Sequence, residues 1–299
     1  MLARVRVVVS MLGICLSLIL AGSARAEGGY LSVQYQYVEQ EGFIFGDGET
    51  EVDLGRLIAQ TLQFDLLYHL NDRWSVEVGL PIVRKRYNGP IRHDPLLLDN
   101  PRPDNEFLDD GSWQTNVANI ELGLSRHFQY RDITISPFLR FEVPSHNYEV
   151  YGLAAAGDGL KKVMLGTGIS APIGLSNFYL RGEWGYTFSE RGGDGINVNH
   201  HRFQAELGYF LNRRWTARVF ALGRIGNGLD FPEDYPSLTD EIWYRHDQTM
   251  SHEFINVGVG FDYQVSARYN VSFWTQELVE GRNTNTTDAA YYLQVGYAF

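Results

Sequence analysis

The chain has 299 residues, with 36 acidic and 25 basic side chains and a formal net charge of −11. This negative charge excludes a nucleic-acid binder that depends on attraction to phosphate groups. Aromatic residues are abundant (18 Tyr, 17 Phe and 6 Trp) and Gly is frequent at 31 residues, yet no apolar run after residue 26 approaches the length of a membrane-spanning helix. This combination suits a barrel whose strands alternate lipid-facing and water-facing residues.

The N-terminus carries the pattern of a secretory signal peptide. "MLARVR" supplies two basic side chains, the apolar run "VVVSMLGICLSLILAG" follows, and "ARA" matches a small-residue cleavage site. We therefore expect residues 1–26 to be a signal peptide, cleaved after Ala26, and residues 27–299 to form the mature barrel. The single cysteine, Cys15, lies inside the signal, so we expect no disulfide in the mature chain.

Twelve segments after residue 26 alternate apolar and polar residues with the period of two that is typical of β-strands. A closed barrel satisfies all backbone hydrogen bonds within the membrane, so the apolar members of each segment are expected to face lipid. The sequence therefore predicts an all-β transmembrane antiparallel β-barrel, and the even strand count puts both termini in the periplasm. The segments are 31–37, 58–68, 74–82, 118–124, 133–143, 163–171, 178–188, 203–209, 215–221, 255–263, 269–273 and 291–299.

Short and long connections alternate along the chain. Links such as "HLNDR", "QYRD", "GLSN", "FLNRR" and "QVSAR" follow the even-numbered strands, whereas long polar links follow odd-numbered strands, notably residues 84–112 and 225–252. Outer-membrane barrels have short periplasmic turns and long external loops, so we expect the two long links outside the cell. Aromatic residues beside the short links are expected to form a girdle at the membrane interface. A soluble β-sandwich, the alternative fold, would bury those rings.

The last segment, "AAYYLQVGYAF", places apolar or aromatic residues at every second position up to the final one. This pattern resembles the C-terminal assembly signal of bacterial outer-membrane proteins. We therefore expect the barrel-assembly machinery to be a partner of the chain, and the bacterial outer membrane to be its location. The residues of the signal are Tyr291, Leu293, Val295, Tyr297 and Phe299.

Four stretches resemble the outer-membrane transporter family associated with meta-pathway phenol degradation. They are "LNDRWSVEVGLPIV", "NVANIELGLSRHF", "PFLRFEVPSHNYEVYG" and "KVMLGTGISAPI". The chain departs from that pattern at Ser145 and His146, where a Thr-Gly is expected after the proline. The resemblance implies passage of small compounds, including aromatic ones.

The strand positions of opposite parity carry the charged residues, which are expected to face the lumen because each charge on the lipid side costs about 2–4 kcal/mol at mid-membrane. Two interpretations are open: a constriction that selects solutes by charge, or a self-neutralising filling of a narrow barrel. The inward aromatic residues Trp274, Phe138 and Phe220 are candidates for stacking on a solute. The candidate constriction residues are Glu121, Arg140, Glu142, Arg181, Glu183, Arg202, Glu206, Arg218 and Arg224, and Asp65, Glu77, Asp262, Asn270 and Gln294 share their parity.

The alternative to a channel is an enzyme, a lipid hydrolase. It needs a base within hydrogen-bond reach of a nucleophile. His201 has outward parity near the external rim, but Ser251 is two strands away, Ser189 is one strand away and points inward, and no G-x-S-x-G elbow is present. The sequence therefore favours a passive channel over an enzyme.

The sequence contains no phosphate-binding loop and no metal-ligand spacing, so we expect no cofactor and no metal. The histidines are expected to be solvated loop residues. The acidic stretches 39–53 and 230–253 are expected to face solvent or to contact lipopolysaccharide through divalent cations. The partners predicted from sequence are thus outer-membrane lipids, lipopolysaccharide and a small-molecule solute.

Overall fold

The computed structural model describes residues 28–51, 55–89, 108–192, 195–235 and 246–299. Within these segments twelve long antiparallel strands pair in chain order into one closed sheet, which confirms the predicted barrel. The predicted signal peptide lies outside the described residues. The strands are β1 (Gly29–Gln40), β2 (Arg56–Asn71), β3 (Trp74–Asn88), β4 (in three pieces, Gln114–Val117, Asn119–Arg126 and Phe128–Tyr130), β5 (Ile133–Pro144), β6 (Lys162–Pro172), β7 (Phe178–Ser189), β8 (His200–Phe210), β9 (Trp215–Gly226), β10 (Glu253–Gln264), β11 (Tyr269–Arg282) and β12 (Ala289–Ala298).

The barrel is closed by pairing of the first strand with the last. β1 and β12 are antiparallel, with Val33 opposite Val295, and the ladder continues to Phe299. The Gly29 amide donates to the Phe299 carbonyl at 2.9 Å, and the Phe299 amide donates back to Gly29 at 3.0 Å. Both ends of the described chain therefore lie at one end of the barrel, beside the short turns, and closure leaves no unpaired sheet edge.

The period-two pattern divides every strand into an outer and an inner face. Outward apolar residues such as Leu165 and Val219 are about half exposed (50% and 51%). Inward neighbours on the same strands, such as Met164 and Phe220, are buried. An exposed apolar band that runs around all the strands is unfavourable in water and favourable in lipid, so this surface is the membrane-facing belt.

Aromatic rings cluster at the barrel end that carries the short turns, as predicted. They pack across neighbouring strands, where side chains directly opposite each other come into contact. The rings lie at the level of the membrane interface, which amphipathic aromatic side chains prefer. The cross-strand pairs, with their centroid distances, are Phe178–Tyr209 (4.6 Å), Trp215–Tyr263 (4.6 Å) and Tyr269–Tyr297 (4.9 Å).

The prediction that Ala118 faces lipid is wrong. A bulge separates two pieces of β4. From the pair Ile82–Val117 to the pair Gly79–Glu121, the chain advances four positions along β4 but only three along β3. Ala118 is buried, and its amide donates to the carbonyl of Pro81 at 3.1 Å. Pro81 has no N–H to complete the ladder, and the extra residue is accommodated where that hydrogen bond is missing.

The opposite end of the barrel extends beyond the predicted strands. β3 continues to Asn88, so residues 84–88, predicted to begin a loop, belong to a strand. Ile58 was predicted to face lipid but is 8% exposed. It pairs with Glu39 and Arg86, and these longer side chains flank it at the strand end.

The connections at this end pack on one another above the barrel. Three short strands (Phe43–Ile44, Thr50–Glu51 and Thr284–Asn285) form a small sheet, and the connection between β9 and β10 contains one helical turn, α1 (His246–Thr249). Phe43, Tyr235 and Met250 form a buried apolar cluster there. No helix in the described segments is long and apolar enough to cross a membrane.

Candidate functional site

The candidate site is the polar lumen, and the registers place the predicted charged residues on its wall. Because Leu139 and Phe141 of β5 point outward, Arg140 must point inward. Its Nε lies 3.3 Å from Glu77 Oε2, and its Nη2 donates to Glu183 Oε2 at 3.0 Å. Arg140 thus links strands β3, β5 and β7 through two carboxylates.

A second ion-pair network is centred on Glu206 of β8, whose side chain is only 6% exposed. Arg218 donates to Glu206 at 3.1 Å, and its Nε lies 3.4 Å from Asp262. The hydroxyl of Tyr179 donates to the same glutamate at 2.9 Å. Arg181 approaches Glu206 to 4.0 Å but keeps 65% of its side chain exposed. The network therefore combines a buried arginine with a water-facing one.

A third network contains an ion pair between strands that are not neighbours. Arg202 of β8 lies 3.4 Å from Glu142 of β5, and two strands intervene between them along the wall. Lys162 pairs with Glu142 at 3.2 Å and with Asp158 at 2.7 Å. The Arg202–Glu142 pair therefore bridges two intervening strands on the lumen side, near the end opposite the termini.

Two pairs of predicted lumen residues place like charges side by side. Glu121 is directly opposite Glu142, and Arg202 is directly opposite Arg224. Like charges at such positions repel each other. Within the described residues Glu121 forms no ion pair, and the Nε of Arg224 has no hydrogen-bond partner. At this level the carboxylate of Glu142 is paired both with Lys162 on the adjacent strand and with Arg202 on a strand that is not adjacent.

The remaining predicted lumen residues also reach the wall. Asp65 accepts a hydrogen bond from Gln63 at 2.6 Å. Asn270 accepts one from the Tyr30 hydroxyl at 2.8 Å. Gln294 pairs with Gln34 on the inward side of the β1–β12 ladder. All three thus contribute neutral or acidic hydrogen-bonding groups to the lumen.

The lumen wall holds an open cavity of about 260 Å³ between β5 and β8. Six of its nine lining residues are polar or charged, and the exposed Arg181 is among them. Gln204 and Ser170 add hydrogen-bonding groups that sequence reasoning did not single out, although their inward parity was readable from the strand pattern. The lining residues are Ser136, Gly168, Ile169, Ser170, Arg181, Gly182, Glu183, Gln204 and Glu206.

The inward aromatic rings pack against the wall. Trp274 stacks on Tyr292 with centroids 5.1 Å apart and ring planes within 1°, and the Arg218 guanidinium carbon lies 4.8 Å from its centroid. The neighbours that stack on Trp274 are thus residues of the protein itself. Phe138 lies directly opposite Gly166, where an added Cβ would collide with the phenylalanine ring. The glycine allows this ring to lie flat along the wall.

Phe220 and Gly258 repeat this arrangement between β9 and β10, because an added Cβ at Gly258 would strike the Phe220 ring. Such close approach requires a residue without a side chain. Sequence reasoning identified both phenylalanines as inward residues but did not connect them with glycines on the neighbouring strands.

The residues of the alternative hydrolase site have other partners. The ring of His201 packs on Tyr186 and Trp184, with centroids 4.7 and 5.7 Å away. Ser251 Oγ donates to Asp230 at 3.1 Å. Ser189 points inward, as its position opposite Lys162 shows. The structure therefore does not bring His201 together with either serine.

A serine–histidine contact that sequence reasoning missed lies near the short turns. His127 Nε2 is 2.9 Å from Ser75 Oγ, and its Nδ1 is 2.9 Å from Ser136 Oγ. The imidazole has a hydroxyl on each nitrogen, which fixes the ring between β3 and β5. No feature of the sequence distinguished this histidine from those in loops.

The connection between β5 and β6, residues 145–161, is held over the lumen by buried hydrogen bonds. Tyr148 donates to Asn119 Oδ1 at 2.6 Å and accepts from the Gly159 amide at 3.2 Å. Burial and, to a smaller extent, the nearby Asp158 carboxylate raise the pKa of the Tyr148 hydroxyl to about 12. Ser145, where the chain departs from the family pattern, donates to the Val117 carbonyl at 2.6 Å.

Asp109 fixes the same connection from the other side. Its carboxylate accepts hydrogen bonds from the backbone amides of Leu153 and Ala154 at 3.0 and 2.9 Å. Charge-assisted bonds of this kind are stronger than neutral ones. The connection is therefore an ordered part of the lumen entrance.

No known protein family and no curated protein matches the sequence. Solved structures do match the fold. A COG4313 outer membrane channel from Pseudomonas putida F1 has a TM-score of 0.69 and 14% identity, covering 93% of this chain and 97% of that one. The NanC porin has a TM-score of 0.51 and 10% identity, covering 89% and 98%.

The translocator domain of the autotransporter NalP from Neisseria meningitidis has a TM-score of 0.50 and 11% identity, covering 98% of this chain and 96% of that one. At these sequence identities, the structural similarity establishes a shared fold only. Together with the closed twelve-strand sheet and the apolar outer belt, it identifies the chain as a β-barrel of the bacterial outer membrane.

Proposed function

We propose that the protein is a passive channel for small solutes, which cross the outer membrane through its polar lumen. The observation that carries this proposal is the exposure of charged side chains inside a closed barrel. Arg181 and Arg202 keep 65% and 53% of their side chains exposed although they point away from lipid. Charged groups with that much accessible surface require water around them, so the proposal assigns them to a hydrated path.

The geometry also supports a selective constriction. The Arg202–Glu142 pair would narrow the lumen, and the cavity beside Arg181 lies on the side of this pair nearer the chain termini. A lining of guanidinium, carboxylate, amide and hydroxyl groups selects small solutes by charge and hydrogen bonding. The COG4313 channel shares this fold, and the sequence resemblance adds small aromatic compounds to the candidate solutes.

Two partners belong to this proposal. The terminal strand would deliver the chain to the barrel-assembly machinery, because its alternating apolar residues line the outer face, where Leu293 and Val295 are exposed. Lipids and lipopolysaccharide would surround the belt. A solute would be the only ligand that enters the lumen.

Planar-bilayer recordings of the purified barrel test the channel. The parent protein should conduct ions, and Arg181→Ala should shift the reversal potential toward cation selectivity, because a fixed positive charge is lost from a hydrated path. The shift should shrink as salt rises, since the Debye length is about 10 Å at 0.1 M and shorter above it. Arg126→Ala on the outer wall is the control and should leave selectivity unchanged. Absence of conductance in the correctly folded parent would refute the proposal.

A further inference from the structure

The outer face of β3 changes from apolar to basic near the end of the strand that lies far from the chain termini. Trp74, Val76, Val78, Leu80 and Ile82 point outward and are apolar or aromatic, and the next two outward positions are arginines. Arg84 and Arg86 alternate with Val83 and Tyr87, which are buried on the inner side. The lipid-facing stripe of this strand therefore ends in two outward guanidinium groups.

Their height matches the outer headgroup region. Ten residues separate Trp74, in the lower aromatic girdle, from Arg84. With a rise of about 3.3 Å per residue and a strand tilt of about 40°, they span roughly 25 Å along the barrel axis. This equals the height of the apolar band of an outer-membrane barrel, about 25 Å. The two arginines thus emerge where lipid phosphates lie on the side of the long connections.

A tryptophan and polar neighbours organise the two arginines. The guanidinium carbons of Arg84 and Arg86 lie 4.3 and 5.0 Å from the ring centroid of Trp113. Arg84 is exposed, and its partners across the sheet, Gln60 and Thr115, are polar as well. The aromatic ring holds two like charges close together, which favours an anion that both can bind.

The charges of this patch have no acidic partner among the residues that the structure describes. Arg56, another outward arginine near this rim, pairs with Glu39. In the part of the chain that the structure describes, by contrast, no carboxylate forms an ion pair with Arg84 or Arg86. Two guanidinium groups that lack an ion pair within the described segments are notable on a chain whose net charge is −11.

We propose that Arg84, Arg86 and Trp113 bind a phosphate group of a phosphorylated glycolipid, lipopolysaccharide, from the outer leaflet. Arginine binds phosphate through two parallel N–H donors, and a tryptophan ring packs well at the boundary between headgroup and acyl chain. The site lies on the outer wall, so it is independent of the lumen and of the solute that the lumen conducts.

Native mass spectrometry of the refolded barrel with added lipid A tests the site. Arg84→Gln/Arg86→Gln should weaken binding of bisphosphorylated lipid A by about tenfold or more, because charge-assisted bonds to phosphate are lost. The matched control is Arg126→Gln. Arg126 also lies on the outer wall over a tryptophan, Trp74, but at the opposite rim, so this change should leave binding unaltered.

Two further measurements on the parent protein do not depend on any variant. Lipid A from which the phosphates have been removed should bind the parent about as weakly as intact lipid A binds the double variant. Inorganic phosphate in excess should not displace intact lipid A. Equal binding of lipid A with and without phosphates would overturn the proposal, as would an unchanged affinity in a double variant that keeps the heat-modifiable mobility of a folded barrel. Displacement by inorganic phosphate would overturn the assignment to a lipid.

Discussion

At the scale of single residues, the lumen arginines fall into two groups that the alternation in the sequence does not distinguish. Arg181 and Arg218 share inward parity and both approach Glu206, but their side chains are 65% and 14% exposed. An exposed ion pair is worth about 0–1 kcal/mol, whereas removal of one partner from a buried pair costs about 3–5 kcal/mol. We therefore expect the lumen to be packed around Arg218 and hydrated around Arg181.

This difference predicts opposite results for two substitutions. Arg218→Ala strands the buried Glu206 carboxylate and should lower the free energy of unfolding by about 3–5 kcal/mol. Arg181→Ala should lower it by less than about 1 kcal/mol. Urea unfolding of the refolded barrel, followed by tryptophan fluorescence, measures both values. Equal losses in the two variants would contradict the division into packed and hydrated regions.

At the scale of elements, the connection between β5 and β6 depends on the neutral form of Tyr148. Its hydroxyl is a donor to Asn119, and burial with the nearby Asp158 raises its pKa to about 12. The folded pKa lies above the unfolded one of about 10. The stabilisation is therefore complete below pH 10 and is lost as the pH rises through about 12.

We expect the Tyr148 hydroxyl to lose its proton at a higher pH than a free tyrosine does, and absorbance spectroscopy measures this. The difference in tyrosinate absorbance between the parent and Tyr148→Phe should show a midpoint near 12. The residues of this connection should become sensitive to added protease over the same range in the parent protein. A midpoint near that of a free tyrosine, about 10, would show that the hydroxyl is solvated.

The terminal strand β12 closes the barrel through both of its edges, against β1 and β11. Phe299 contributes the last two backbone hydrogen bonds to Gly29 and stacks its ring on Tyr297 with centroids 6.1 Å apart. This position makes the residue a test of the proposed assembly signal.

Deletion of Phe299 should reduce the amount of heat-modifiable barrel in the outer membrane, while export and signal cleavage proceed. Replacement by Tyr keeps an aromatic ring at the final position and should preserve assembly. Fractionated membranes, analysed by electrophoresis with and without heating, give the measurement. A normal amount of folded barrel after the deletion would exclude Phe299 from the signal.

The strands of the barrel could be predicted from the sequence more completely than the contacts between side chains in the lumen. Alternation fixes which side of a strand is apolar, so the twelve strands and the inward parity of Arg140 and Glu206 were predictable. The bulge at Ala118 was not, because it arises from a missing N–H on the neighbouring strand. The Arg202–Glu142 pair joins strands that are not adjacent, and the curvature of the closed sheet decides which inward side chains meet.

At the scale of the whole molecule, the ends of the barrel differ in the length of their connections, and this asymmetry predicts orientation. Epitope tags inserted within residues 90–107 or 236–245 should be labelled on intact cells. A tag at Asn212, in the short "FLNRR" turn, should be labelled only after the outer membrane is permeabilised. Labelling at Asn212 on intact cells would reverse the assigned orientation.

The flat packing of Phe138 on Gly166 and of Phe220 on Gly258 bears on how such a barrel can diverge. The bore depends on pairs of residues on neighbouring strands, one bulky and one without a side chain. An added methyl group at either glycine would strike the ring and also a backbone oxygen of the next strand, that of Trp184 for Gly166 and that of Thr275 for Gly258, so both the ring and the strand would have to shift. Loss of either ring would remove bulk from the wall without such a backbone clash. In a barrel that conducts as proposed, substitutions at the two phenylalanines would therefore widen the passage one codon at a time, while strand number, register and the lipid-facing surface stay intact.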